Sequence, residues 1–172
     1  LVNKVSGAED FSFFQRLVPG LFFFVGVTPA GQDPSKAAPN HSPRFFVDEA
    51  ALLLGVRALA QVMNVLALGG KSGKLQFANA ALMAELMREN PLRYDLVLQK
   101  PLGWNLGFLK EERWLYSPNV EAFGHSGMGG PLALADPKAK LAFGYVCNKM
   151  DYKVRPDKTL ALCRALYASV AA

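Results

Sequence analysis

The sequence predicts an α+β fold, and three observations carry that prediction. Apolar residues recur at helical spacing over 47–68 and over 156–170. Between 103 and 148, short apolar runs alternate with Gly- and Pro-rich turn signals, as in an antiparallel meander. Near the start, "LFFFVGV" (21–27) is one continuous apolar run bounded by turn residues, the pattern of a strand buried on both faces. The expected architecture is a helix–strand–helix piece of an α/β domain, followed by an antiparallel β-meander covered by a C-terminal helix.

Residues 7–18 read as a short helix with Glu9 and Asp10 in its first turn, where negative charge suits the helix dipole. Pro19-Gly20 stops it before the strand at 21–27. Residues 28–43 hold four prolines and read as loop. In the helix over 47–68, Asp48 stands as N-cap, and Leu52, Val56, Leu59, Met63 and Leu66 form one stripe. "GGKSGK" (69–74) interrupts the pattern. A phosphate-binding loop needs glycine five positions before Gly70, where Val65 stands, so the segment reads as a flexible linker. A second helix is expected over 75–90, ended by Pro91. Strands follow at 103–110, 122–127, 131–136 and 140–148, with "DPKAK" (136–140) as a hairpin turn. In the last helix Pro156 suits the first turn, and Leu160, Cys163, Leu166 or Tyr167, and Val170 make the apolar face.

Composition excludes several function classes. Half the residues are hydrophobic, enough for a packed core. The net charge of +5 is scattered, with no dense basic stripe interleaved with aromatics, so no nucleic-acid partner is expected. No uninterrupted apolar run is long enough to span a bilayer, and no signal peptide is visible, so a soluble chain is expected, of unassigned compartment. Cys147 and Cys163 form no CxxC pair and read as buried free thiols.

Catalytic motifs are incomplete. A zinc site needs at least three protein ligands, and there is no HExxH; the two histidines, His41 and His125, lie 84 residues apart. No serine has lysine three residues on, which excludes the S-x-x-K nucleophile. Tyr94, Tyr116, Tyr145 and Tyr152 lack asparagine two residues later, so no Y-x-N base stands at them. "GHSGMGG" (124–130) approaches the G-x-S-x-G nucleophile elbow, but Met128 occupies the last glycine's place and a strand follows where an elbow needs a helix.

Two resemblances add to these readings. "SGAEDFSFF" (6–14), "VPGLFFFVGV" (18–27) and "NHSPRFFVDEAALLLGVRALAQV" (40–62) resemble the C-terminal end of the M20 metallo-amidohydrolases, the aminoacylase and hippurate-hydrolase type, over residues 1–68. The resemblance implies an α/β hydrolase domain and zinc or another divalent metal, with His41 as one ligand. "GWNLGFL" (103–109), "FGHSGMGGPLALADPKAKLAFGYVCNKM" (123–150) and the terminal helix resemble the C-terminal end of the serine β-lactamase-related family, including class C-like esterases, over residues 75–172. That family carries Lys-Thr-Gly, or His-Ser-Gly, on a strand edging its active site. The match implies substrate-binding roles for His125, Ser126 and Gly127, with strand backbone supplying part of an oxyanion hole.

The sequence is therefore expected to divide into 1–68, a Gly-rich linker at 69–74, and 75–172. Its expected function is that of a hydrolase-family chain, cleaving amide or ester bonds in a small-molecule substrate, as a fusion or fragment without a complete active site. The alternative is a non-catalytic binding or assembly chain. Sheet edges left without neighbours would offer a route to homo-oligomers.

Overall fold

The computed structural model of the chain describes residues 16, 24–39, 42–110, 116–127, 129–147, 149, 151–153 and 155–170. The helix expected over 7–18 lies outside them, apart from Arg16 in a turn. So do residues 21–23 of the expected strand, and 24–27 stand in no sheet. Val27 instead accepts a hydrogen bond at its carbonyl from the Asp48 amide (2.8 Å), which joins this segment to a helix start rather than to a neighbouring strand.

Helix α1 spans Glu49–Ala67. The Asp48 carboxylate accepts from the Ala50 amide at 3.0 Å, as an N-cap should. The expected stripe faces inward: Met63 and Leu66 are buried, Leu52, Val56 and Leu59 half-buried, and Leu53 and Leu54 exposed. By length and a mean hydropathy of 1.7, α1 could cross a membrane. That property escapes a search for uninterrupted apolar runs, because Arg57, Gln61 and Asn64 punctuate the helix. One face of it packs against the sheet, and 22% of its apolar window is buried.

The segment 69–74 is ordered, where a flexible linker was expected. Strands β1 (Lys71–Ser72) and β2 (Leu75–Gln76) pair across a turn with Gly73 at φ +57°. Gly70 accepts from the amides of Phe77 and Ala78 and donates to Val65, so backbone hydrogen bonds hold the hairpin on the end of α1. The hairpin consumes residues 75–76, and Asn79 caps the next helix by accepting from Leu82. Helix α2 is therefore only Ala80–Met87, shorter than the 75–90 expected.

Strands β3 (Arg93–Asp95) and β4 (Lys100–Leu102) form a second hairpin. The main sheet has five antiparallel strands in sequential order: β5 (Trp104–Asn105), β6 (Phe108–Lys110), β7 (Phe123–Ser126), β8 (Leu132–Asp136) and β9 (Leu141–Tyr145). The expected strand over 103–110 is in fact the β5–β6 hairpin. Leu106 and Gly107 both take positive φ (+49° and +84°), the backbone of a two-residue reverse turn. Leucine is a poor signal for such a turn, so the run reads as unbroken.

The sheet lies between two helical layers. On one face Phe123 and Ala135 pack with Met63, Leu66 and Ala67 of α1 and with Met83 and Leu86 of α2. On the other, Leu132 and Leu134 pack with Tyr116, Ala122 and Cys163 under helix α3 (Asp157–Val170). At Gly144 of β9 the α1 backbone comes so close that a Cβ would lie 3.1 Å from both Val56 O and Ala60 N. The expected mixed architecture, an antiparallel meander with a C-terminal helix, is thus present. Helix α1 belongs to the same core as the meander.

Candidate functional site

Strand β7 carries His125 and Ser126. It is the central strand, and β8 pairs with all four of its residues, from Phe123↔Ala135 to Ser126↔Leu132. On its other side β6 pairs only with Phe123 and Gly124. Among the described residues, His125 and Ser126 thus have ladder partners on one side only, at the end of the strand where β6 turns away into the β5–β6 hairpin.

Directly opposed residues in a sheet share a face. Ser126 opposes Leu132, which packs under α3, whereas His125 opposes Ala133, which packs on the α1–α2 side. The two neighbours therefore point to opposite faces. Ser126 is 6% exposed, and its Oγ has no hydrogen-bond partner among the described residues. His125 is exposed. The His125 residue is open to solvent, while the Ser126 hydroxyl sits inside the fold.

Gly127 is held by its surroundings. Its amide donates to Pro131 O at 2.9 Å, and a Cβ on it would lie 2.9 Å from Pro131 Cγ. The turn that follows has Gly129 and Gly130 at φ +89° and +108°. Thr159 Oγ1 donates to Gly130 O at 2.8 Å, so α3 clamps the turn below β7. This turn explains why "GHSGMGG" approaches an elbow in sequence without being one.

A neighbour that the sequence did not single out is Trp104 on β5. Its ring centroid lies 5.5 Å from that of His125, tilted by 39°. Its Nε1 donates to Asp95 Oδ2 at 2.8 Å. Asp95 Oδ1 accepts in turn from the amides of Val97 and Leu98 at 2.9 and 2.8 Å. The Leu98 amide, the Trp104 indole and the Val97 amide hold the Asp95 carboxyl below its ordinary value, against the smaller effect of burial. An Asp followed by three apolar residues between strand-like runs was the available signal for this turn; the distance to His125 had none.

A second polar cluster lies at the opposite end of β8. Asp136, expected only to start a hairpin turn, is fully buried. Its Oδ2 accepts from Ser117 Oγ (2.8 Å), Asn119 Nδ2 (2.8 Å) and Tyr167 hydroxyl (2.6 Å), and its Oδ1 from the Ala139 amide (3.0 Å). Nearer β7, buried Lys110 donates from Nζ to Met87 O and Glu121 O, tying α2 and the approach to β7 onto β6.

His41 lies outside the described residues. Among the described residues no group of three His, Cys, Asp or Glu side chains could hold a metal ion. Of the carboxylates within eight residues of His41, Asp33 accepts from the Ser35 amide and hydroxyl, Asp48 caps α1, and Glu49 stands exposed in the first turn of α1. The described residues do not form a donor set for a divalent ion.

Comparison with known proteins agrees with this mixed fold. A model of the beta-lactamase family matches residues 23–166, through the hairpin at 71–76 and the whole sheet. The esterase/beta-lactamase LipL of Mycobacterium tuberculosis is 32% identical over 96 residues, 55% of this chain and 21% of that protein. The crystal structure of a family VIII carboxylesterase superposes with a TM-score of 0.60 at 39% identity, covering 66% of this chain and 31% of that one. The chain belongs to the beta-lactamase family. It also has relatives among M20-type amidohydrolases: thermostable carboxypeptidase 2 of Saccharolobus solfataricus is 45% identical over 58 residues, 34% of this chain and 14% of that protein. The chain thus spans 14% to 21% of the length of these curated relatives.

Proposed function

We propose that this chain serves the cleavage of ester or amide bonds in a small molecule, and that it supplies the substrate-flanking side of the site rather than the nucleophile. The observation that carries the reading is His125, exposed at the end of β7 where β6 turns away, in the His125-Ser126-Gly127 position at which the resemblance expects substrate contact. There the imidazole can donate to a substrate oxygen, and the strand backbone offers hydrogen-bonding groups beside it. Gly127 lets Pro131 pack closely against the backbone there. Ser126, buried on the α3 side of the sheet, is assigned no substrate contact in this reading. The sequence holds no S-x-x-K serine, and this reading assigns the chain no nucleophile.

The M20-like segment (1–68) and the β-lactamase-related segment (75–172) are, in this reading, parts of two hydrolase chains joined near 69–74. Relatives of both kinds support it. The match of one family model across 23–166 and the shared packing of α1 and β9 favour a single folded unit over two independent ones. No step is assigned to a metal ion.

The test uses the purified chain with a fluorophosphonate and with a short-chain carboxylate ester followed by NMR. No covalent label on Ser126, together with an ester-dependent shift of the His125 imidazole resonances, is the expected result. Labelling of Ser126 would overturn the division of roles. Unmoved His125 resonances at saturating ester would remove the substrate-side reading.

A second reading is an assembly chain. It is favoured by β9, an outer strand of five residues with no strand on its far side among the described residues, and by the exposed Leu53 and Leu54 on α1. Sedimentation distinguishes the two, since a clean monomer across concentration removes it.

A further inference from the structure

We infer that Asp95 is a positioning residue for the candidate site, acting through Trp104 on His125. The inference rests on the reading of His125 as the substrate-facing residue. Three elements meet here: Asp95 ends β3, Trp104 begins β5 and His125 lies on β7.

The Asp95 carboxylate divides its two oxygens between two tasks. Oδ1 accepts from the amides of Val97 and Leu98 and shapes the β3–β4 turn. Oδ2 accepts from Trp104 Nε1 at 2.8 Å. A hydrogen bond to an ionised acceptor is stronger than a neutral one, and it fixes the indole about an axis that free rotation would otherwise blur. Trp104 is 38% exposed, so core packing alone does not hold it. With the indole fixed, its ring lies 5.5 Å from the His125 ring, within the range of aromatic contact.

The exposed imidazole therefore has one wall fixed by Trp104, which restricts how its nitrogens can meet a ligand.

Asp95→Asn separates the two tasks. An asparagine keeps the oxygen that shapes the turn, a role it fills well. It turns its NH2 group toward the indole N–H, donor against donor, and releases the ring. The chain has two histidines, so imidazole C–H resonances are assigned with one His125→Gln variant. In the native chain the indole ring current displaces the His125 resonances from free-histidine positions. In Asp95→Asn they return to those positions while the Val97 and Leu98 amides stay protected. Trp104→Leu, which removes the ring and leaves Asp95 in place, gives the same return and identifies the indole as its source.

Displacement that persists in either variant would overturn the inference, as would native His125 resonances already at free-histidine positions. A turn-shaping role alone would leave His125 unmoved in Asp95→Asn. No substrate enters this experiment. A chain that ignores esters yet shows the predicted displacement would lose the proposed function while keeping the Asp95–Trp104–His125 relay.

Discussion

The Tyr167 hydroxyl donates a 2.6 Å hydrogen bond to Asp136 Oδ2, joining the last helix to the end of β8. Burial raises the Asp136 pKa, but the bonds from Tyr167, Ala139, Asn119 and Ser117 together outweigh it and hold the carboxyl below its ordinary value of 3.8. The Tyr167 hydroxyl is pushed strongly upward by burial and by the adjacent carboxylate, so it stays protonated and remains a donor. Because the folded pKa of Asp136 lies below the unfolded one, its stabilising contribution is complete above the unfolded value and fades as pH falls through the folded one.

Tyr167→Phe is therefore expected to cost about 2 kcal/mol at neutral pH, the worth of one hydrogen bond to a charged acceptor. The cost should shrink in strongly acidic solution, where Asp136 is protonated in both states. Urea unfolding at neutral and at acid pH measures both values, and an equal cost at the two would separate Tyr167 from the ionisation of Asp136.

Gly144 sets how closely α1 approaches β9. A Cβ there would meet Val56 O and Ala60 N at 3.1 Å and Leu59 Cβ at 3.2 Å, and the two backbone atoms cannot swing aside as a side chain can. Gly144→Val should destabilise by about 1–3 kcal/mol through overpacking. The variant is also expected to unfold in one transition, since α1 and the sheet share a core. Two separated transitions would show that α1 folds apart from the sheet.

What the sequence made legible follows from how local each signal is. Helix α1 was readable because its stripe from Leu52 to Leu66 repeats over about four turns and Asp48 caps it within two residues. Helix α3 and the 136–140 turn were readable for the same reason: Pro156 and Asp136-Pro137 act on the backbone beside them. The β5–β6 hairpin was hidden because Leu106 takes a positive φ that leucine rarely takes, and the 69–74 hairpin because its glycines equally suit a flexible joint. For the candidate site, the strand position of His125 was readable. Its contact with Trp104, the opposite facing of Ser126 and the burial of Asp136 depend on register and on partners 17 to 31 residues away, such as Asn119 and Tyr167. No spacing rule within one segment reports these.

His41 provides a test of the metal reading that needs no substrate. A zinc site requires at least three protein donors. Of the three carboxylates within eight residues of it, Asp33 and Asp48 serve Ser35 and the cap of α1, which leaves Glu49 alone. The native chain and His41→Ala are expected to retain the same zinc content after dialysis against a weak chelator. A native chain that keeps zinc which His41→Ala loses would place a metal centre around this histidine.

Ser126 separates the nucleophile reading from the scaffold reading by stability alone. Its Oγ is buried and has no hydrogen-bond partner, so the fold carries the desolvation of that hydroxyl without compensation. Removing it should relieve the cost. Ser126→Ala is expected to be neutral or to stabilise the chain by about 1 kcal/mol, read as a shift of the urea midpoint at constant slope. A Ser126 hydroxyl that holds a hydrogen bond would instead leave its partner unpaired when removed, and the chain would be less stable. A destabilised Ser126→Ala variant would therefore return Ser126 to the catalytic question from which its burial removes it.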